Sequence, residues 1–116
     1  MWFELFLDLQ NLKYYGYIPE MPEDRAGRVE IYKFDSKTYR DLINKDFVDS
    51  VNAACDSLLD ISDVDFFDSE KCVKLKSWLE NRLAKDIDPL LFSLYGKLLE
   101  FANKAIELNT GVVIQL

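Results

Sequence analysis

The chain has 116 residues, of which 49% are hydrophobic and 30% are charged, and it carries a net charge of −7 with no histidine. This length and apolar content are sufficient for one hydrophobic core, so we expect a single domain over residues 1–116. The acidic balance argues against direct binding to nucleic acid, which requires Lys and Arg to neutralise phosphates. No apolar run reaches the roughly 18 residues of a membrane span, and residues 1–9 lack the basic start of a signal peptide, so we expect a cytoplasmic protein that does not bind membranes.

The N-terminal third of the sequence alternates between strand and loop patterns. Apolar residues occupy every second position from Phe3 to Leu9, which favours a strand, and Trp2 and Phe6 on the alternate positions indicate a partly covered second face, although a helix over residues 2–12 also fits. Residues 13–28 combine three tyrosines with two prolines and two glycines, a composition typical of a long loop. Residues 29–34 predict a second short strand.

The rest of the sequence predicts three helices and a final strand. Ser36 is a candidate N-cap for a helix to about Leu59, because apolar residues follow at three- and four-residue spacing. Asp68 or Ser69 opens a second helix, and Asp88 before Pro89 opens a third, largely apolar helix that reaches residue 108. Residues 112–116 predict a strand that pairs with the N-terminal one. The expected fold is α+β, with three helices packed on a small sheet of about three strands.

The negative charge is concentrated in one part of the chain. Residues 46–70, which we call the acidic segment, contain eight acids and neither Lys nor Arg, whereas the other 91 residues contain 13 acids and 14 bases. On a continuous helix, four of these acids would form a stripe roughly 20 Å long on the solvent side, opposite Phe47, Val51 and Leu58. The four are Asp46, Asp49, Asp56 and Asp60. Repulsion between like charges destabilises a helix, so stability alone does not explain such a stripe.

The acidic segment also contains an aromatic pair, Phe66 and Phe67, next to Asp63 and Asp65. Aromatic rings bordered by acids are typical of an interface with a basic partner, in which the rings supply contact area and the acids supply orientation and a faster encounter. The acidic stripe and these four residues are therefore candidate partner-binding residues. The alternative is that the acids form a solvated face and that both phenylalanines lie in the core.

Two other features each have two interpretations. Tyr14, Tyr15 and Tyr17 form either a partner-binding loop, since tyrosine offers a large contact area at little entropic cost, or a lid over the sheet. A basic stripe on the second predicted helix either pairs with the preceding acidic helix or binds an anion. This stripe consists of Lys71, Lys74, Arg82 and Lys85.

The sequence contains no motif for a metal, a cofactor or a catalytic reaction. A calcium loop starting at Asp63 fails, because its positions 5, 6 and 12 are Phe67, Asp68 and Lys74 instead of a ligand, glycine and glutamate. A zinc site would depend on Cys55 and Cys72, which form no Cys-x-x-Cys pair and have no histidine beside them. The commonest general base is also missing. We therefore expect neither enzymatic activity nor a cofactor.

The type of chain and its last twelve residues suggest a resemblance. The chain is small, acidic and free of histidine, with a one-sided carboxylate surface, and it closes on Ala105-Ile-Glu-Leu-Asn-Thr-Gly-Val-Val-Ile-Gln-Leu116, a predicted helix that turns into a terminal strand. In these respects it resembles the bacterial immunity proteins of contact-dependent inhibition and related polymorphic toxin systems. The resemblance is to the class as a whole, so no catalytic or ligand residue is transferred from it.

The resemblance implies a binding function for the acidic segment. Immunity proteins inhibit their toxins stoichiometrically, and a toxin such as a nuclease has a basic cleft in which carboxylates would take the place of phosphates. We therefore expect an immunity protein or antitoxin with a basic toxin domain as its protein partner. The alternative is a structural or adaptor domain that assembles with other subunits through apolar surface or an exposed strand edge. The sequence leaves the oligomeric state open.

Overall fold

The computed structural model describes residues 1–85 and 88–116. Within these residues the fold is α+β, with four helices, a four-stranded antiparallel sheet and a separate two-stranded hairpin. The strands are β1 (Trp2–Phe6), β2 (Tyr14–Tyr15), β3 (Ile18–Pro19), β4 (Val29–Lys33), β5 (Val64–Asp68) and β6 (Gly111–Gln115). The helices are α1 (Ser36–Ile43), α2 (Phe47–Cys55), α3 (Ser69–Leu83) and α4 (Pro89–Leu108).

The four-stranded sheet has the order β4-β1-β6-β5, with the two terminal strands at its centre. Strand β1 pairs with β6 from Trp2 opposite Gln115 to Phe6 opposite Gly111, which confirms the predicted pairing of the two ends of the chain. The helices pack on one face, where Phe3 and Leu5 of β1 join α4 residues such as Leu94 and Leu98 in the main core. Helix α4 buries one side, which carries Leu91, Leu94, Tyr95, Leu98, Phe101, Ala102 and Ala105. Its other side is exposed and includes Leu90, Phe92 and Leu108, so α4 is less central than its apolar sequence predicts.

The second face of the sheet is partly covered by the long segment between β1 and β4. Phe6, Phe66 and Val113 form a smaller apolar cluster there, and Leu12 and Ile18 of that segment pack against it. The segment is held by Arg28, whose guanidinium donates to the Asp8 carboxylate at 2.7 Å and to the Gln10 carbonyl at 2.5 Å. Residues 13–28 thus form more than the predicted loop, because they include the β2–β3 hairpin.

The predicted helix from Ser36 to Leu59 is wrong in two respects, and the first is a break at residues 44–46. Leu42 and Phe47 are both fully buried. On one continuous helix, five residues apart, they would point about 140° away from each other, so a straight helix could not bury both against the same core. The break between α1 and α2 removes this conflict. The N-cap of α1 is Asp35 instead of Ser36, and its carboxylate accepts from the Thr38 amide at 2.8 Å.

The second difference is that α2 ends at Cys55, four residues before the predicted end. Asp56 adopts the left-handed conformation, with φ 53°, and turns the chain out of the helix. Leu58, which the continuous helix would have buried beside Val51, is consequently 73% exposed, and Leu59 is buried in its place. The cause is Asn52, whose side chain bonds the backbone of Leu59 and so offers that segment an alternative to helical hydrogen bonds.

Residues 64–68, predicted as part of a connection, form the edge strand β5. The predicted starts of the last two helices are correct: Asp68 caps α3 by accepting from the Lys71 amide, and Asp88 caps α4 ahead of Pro89. Gly111 begins β6 because a side chain does not fit there. A Cβ atom on Gly111 would overlap the Phe66 ring and lie 2.6 Å from the Phe67 carbonyl oxygen.

Candidate protein-binding surface

The acids predicted to form one helical stripe lie on three different kinds of structure. Asp49 is exposed on α2, Asp46 precedes that helix, and Asp56 and Asp60 follow it in the loop. The predicted single stripe is therefore wrong, although all four residues are exposed. Asp46 has a basic partner, because Arg82 of α3 donates to both of its carboxylate oxygens, at 2.6 and 3.0 Å, as the interpretation that pairs the basic stripe with the acidic helix predicts for Arg82. This contact lowers the pKa of Asp46 below its ordinary value.

Three predicted contact residues, Asp65, Phe66 and Phe67, are buried in β5 and cannot form an outer rim in this fold. Phe67 belongs to the main core, and the Phe66 ring packs edge-on against Phe6 on the opposite face of the sheet. The alternative interpretation, with both rings in the core, is the one the structure supports. Asp65 has an internal function as a hydrogen-bond acceptor.

The remaining acids are brought together in the connection between α2 and β5. We call residues 56–63 the acidic loop. Its three carboxylates, on Asp56, Asp60 and Asp63, are exposed, and so are two aliphatic side chains, Leu58 at 73% and Ile61 at 51%. Large aliphatic groups exposed beside acids are an unfavourable surface for an isolated protein and a suitable one for binding another protein.

The acidic loop is held from beneath by two polar side chains. The Asn52 amide donates to the Leu59 carbonyl at 2.7 Å, and its oxygen accepts from the Leu59 amide at 2.8 Å and from the Ser57 hydroxyl at 2.7 Å. The buried Asp65 carboxylate accepts from the Leu58 amide at 2.8 Å. Without these bonds, the backbone amides and carbonyl of Leu58 and Leu59 would have to bond water. The bonds also hold the Leu58 side chain in its exposed position.

The loop's far end is also anchored, since the amide of Leu116 donates to the Asp63 carbonyl at 3.0 Å. Both ends and the middle of the acidic loop are thus tied to regular structure. A loop that is ordered before binding loses less conformational entropy on association than a mobile one.

The tyrosines occupy the β2–β3 hairpin, residues 14–19, which we call the tyrosine hairpin. Tyr14 is 48% exposed, Tyr15 80% and Tyr17 50%. Gly16 and Tyr17 form the two-residue turn, and Gly16 has the positive φ of 63° that such a turn requires. The hairpin does cover part of the sheet through Ile18, but the three rings remain accessible.

One hydrogen bond joins the tyrosine hairpin to the acidic loop. The Tyr17 hydroxyl donates to the Asp65 carboxylate, which also receives the Leu58 amide. The carboxylate raises the pKa of Tyr17 to about 12, because it favours the protonated phenol. The Lys71 ammonium lies 6.0 Å from the centre of the Tyr17 ring. The tyrosine hairpin and the acidic loop, which are distant in sequence, are consequently connected through Asp65.

Sequence reasoning missed Leu58, Ile61 and Asn52 as parts of this surface. The signal for Asn52 was weak: an Asn inside a helical pattern followed by Asp56 and Ser57 indicates that side chains compete with the helix for backbone bonds. The exposure of Leu58 is a consequence of that competition. No feature of the sequence at position 58 itself indicates it.

The acidic and cysteine side chains are also possible metal ligands and nucleophiles. No group of three or more Cys, Asp or Glu side chains within them could hold a metal ion. Both cysteines are buried, and burial raises the pKa of the Cys55 thiol to about 11 and that of Cys72 to about 12, so neither is a ready nucleophile at neutral pH.

Comparisons with known proteins leave the chain without an assigned family. No family model matches it, and no curated protein or solved structure matches it significantly. In the described part of the chain, none of the helices combines the length and apolar character required to cross a bilayer.

Proposed function

We propose that this protein is an immunity protein or antitoxin that binds a basic toxin domain through the acidic loop and the tyrosine hairpin. The observation that carries the proposal is the pair of exposed aliphatic side chains, Leu58 and Ile61, placed among three carboxylates on a loop fixed by buried hydrogen bonds. Each part of this arrangement has a function in binding a protein.

The aliphatic pair supplies contact area. Binding energy in protein interfaces is concentrated in a few side chains that become fully desolvated, and polar groups around them exclude water. Leu58 and Ile61 have the exposure to act in this way, and Tyr14, Tyr15 and Tyr17 can extend the contact. The same surface would also serve the alternative, an adaptor domain, so apolar contact alone does not select a toxin as the partner.

The carboxylates favour a basic partner. Asp56, Asp60 and Asp63 are exposed, and the structure gives none of them a salt bridge with a described residue. Their field would steer a basic domain towards the loop and orient it there. If the toxin is a nuclease, the carboxylates would occupy positions that normally hold substrate phosphates.

The test begins with the gene neighbourhood, where the proposal expects a toxin domain to be encoded immediately upstream. Bacterial cells that produce this domain would be protected by the wild-type protein, and binding would be measured with purified components. Leu58→Asp combined with Ile61→Asp should leave a folded protein, because both side chains are exposed, and should weaken binding at least a hundredfold. The matched control is Phe92→Asp with Leu108→Asp, which changes two exposed apolar residues of α4, 54% and 42% accessible, outside the proposed surface.

Two results would contradict the proposal. Full protection by the Leu58/Ile61 variant would place the binding surface elsewhere. The adaptor function would be favoured if the neighbouring genes encoded subunits of an assembly. It would be favoured further if the protein bound those subunits with the same affinity after its acids were neutralised.

A further inference from the structure

A polar groove is lined by residues that do not belong to the proposed interface. The groove lies between α2 and α3 and has a volume of about 510 Å³, within the range of roughly 300 to 1,000 Å³ found for small-molecule sites. Three members of the predicted basic stripe line it: Lys74 and Arg82 on α3, and Lys85 just after that helix. A concentration of positive charge in a chain of net charge −7 requires an explanation of its own.

One end of the groove is rich in hydrogen-bond donors. Arg82 is fixed there by its two bonds to Asp46 and by its position over the Trp78 ring, 4.6 Å from the ring centre. Asn81 and Lys85 line the same end. Asp46 neutralises one of the cations, so the groove keeps a net positive charge, and neither Lys74 nor Lys85 has a salt bridge with a described residue.

The hydroxyl of Ser50 is a further hydrogen-bond donor at this end of the groove. Its hydroxyl oxygen accepts from the Trp78 indole at 2.6 Å and from Arg82 at 3.4 Å. Both bonds use the oxygen as acceptor, and the hydroxyl proton has no acceptor among the described residues. A serine held in this way donates to whatever acceptor enters the groove.

The other end of the groove adds apolar contact area beside Lys74. Ala54 of α2 and Val73 of α3 line it, and Val73 is 51% exposed. The contacts from Asp46 to Arg82 and from Ser50 to Trp78 show that the two helices run antiparallel, which places Ala54 near Lys74 at the opposite end from Lys85. The Trp78 side chain lies between the two ends.

We infer that this groove binds a small organic phosphate, with the phosphate near Ser50, Asn81, Arg82 and Lys85 and the organic part beyond Trp78, near Ala54 and Val73. The guanidinium, the ammonium and the hydroxyl supply charge-assisted hydrogen bonds to phosphate oxygens. Ala54 and Val73 supply contact for a carbon-containing moiety that inorganic phosphate lacks.

The test titrates the protein with adenosine monophosphate, inorganic phosphate and adenosine. A Trp2→Phe background leaves Trp78 as the single tryptophan, so its fluorescence reports on the groove directly. We expect saturable binding of adenosine monophosphate with a dissociation constant below about 1 mM, and binding of the other two at least tenfold weaker.

The variants locate the site. Asn81→Ala with Lys85→Gln should weaken binding of adenosine monophosphate at least tenfold. The control Asn103→Ala with Lys33→Gln changes the same residue types at exposed positions outside the groove and should leave the affinity unchanged. Circular dichroism would verify that both variants are folded.

Three outcomes would overturn the inference. They are the absence of saturable binding below about 1 mM, an equal loss of affinity in the groove variant and the control, and equal affinities for inorganic phosphate and adenosine monophosphate. Equal affinities would show that the organic part of the ligand makes no favourable contact with Ala54 and Val73. None of these outcomes bears on the toxin-binding surface, because the groove variants leave the acidic loop intact.

Discussion

The Tyr17 hydroxyl donates a hydrogen bond to the buried carboxylate of Asp65, and this bond connects the tyrosine hairpin to the acidic loop. Asp65 also receives the amide of Leu58, so the same carboxylate supports both parts of the proposed surface. Because Asp65 is buried, it cannot contact a partner directly. It instead fixes the positions of two exposed residues, Tyr17 and Leu58, by accepting a hydrogen bond from each.

Tyr17→Phe tests this connection. The substitution keeps the ring and removes the hydroxyl that bonds a charged group, so we expect the free energy of unfolding to fall by roughly 1 to 3 kcal/mol. Hydrogen exchange at the Leu58 amide should become faster, because the loop loses part of its support. Tyr15→Phe is the control, since Tyr15 is 80% exposed and should give no change in either measurement. Equal exchange rates in both variants would show that Asp65 holds the loop without help from Tyr17.

Asn52→Ala tests the other anchor of the acidic loop. The variant loses three hydrogen bonds and leaves both backbone groups of the buried Leu59 without a partner, so we expect a loss of about 2 to 4 kcal/mol in the free energy of unfolding. Asn103→Ala, at an exposed position of α4, should cost less than about 0.5 kcal/mol. Denaturant unfolding of the two variants measures the difference. A similar loss in both would contradict the anchoring function of Asn52.

The pH dependence of stability depends on Glu4, which is 3% exposed on the second face of the sheet and has one carboxylate oxygen without a partner. Burial raises its pKa from an ordinary 4.5 to about 7, and the nearby Arg25 reduces this rise only in part. The folded state therefore holds a proton that the unfolded state releases between these values, so stability should fall as pH rises from about 4.5 to 7.

The expected loss from this proton is on the order of 3 kcal/mol, because one pKa unit corresponds to about 1.36 kcal/mol. Glu4→Gln should abolish most of the slope, and the absence of histidine leaves few other groups that titrate in this range. Thermal unfolding at several pH values measures the dependence of stability on pH. Parallel curves for wild type and Glu4→Gln would show that Glu4 is not the group responsible.

The parts of the fold that could be predicted from sequence are those set by local chemistry. Asp68 and the pair Asp88-Pro89 mark helix starts because capping and a missing amide hydrogen act within one turn. The break between α1 and α2 could not be predicted, because it is caused by the requirement that Leu42 and Phe47 reach one core. Local spacing fits a continuous helix equally well.

The surface was predicted less well than the fold, because the sequence does not distinguish a charged residue that faces solvent from one that bonds the backbone. Asp63 and Asp65 are two residues apart and chemically identical, yet one is exposed and the other is fully buried. The difference arises from Tyr17 and Leu58, which approach Asp65 only in the folded chain. Acid content thus identifies a segment with several exposed acids, but it does not identify which of its acids are buried.

The electrostatic part of the proposed function is tested by neutralising the acidic loop with Asp56→Asn, Asp60→Asn and Asp63→Asn. Asn tolerates the left-handed conformation of position 56, with φ 53°, and retains an acceptor at each site, so stability should change by less than about 1 kcal/mol. We expect the association rate with the toxin domain to fall at least tenfold at low salt. The control is Asp41→Asn, Glu80→Gln and Glu107→Gln, which removes the same charge elsewhere.

Salt provides the second measurement of the same prediction. Between about 0.05 and 0.5 M salt the screening length falls from roughly 14 to 4 Å, so association of the wild-type protein should slow markedly while that of the neutralised variant changes little. The control variant should keep most of the wild-type salt dependence, because its substitutions lie outside the acidic loop. Stopped-flow association kinetics at several salt concentrations give these slopes. If the association rate of the wild type did not depend on salt, the carboxylates would have no part in steering the partner. Leu58 and Ile61 would then remain as the basis of binding.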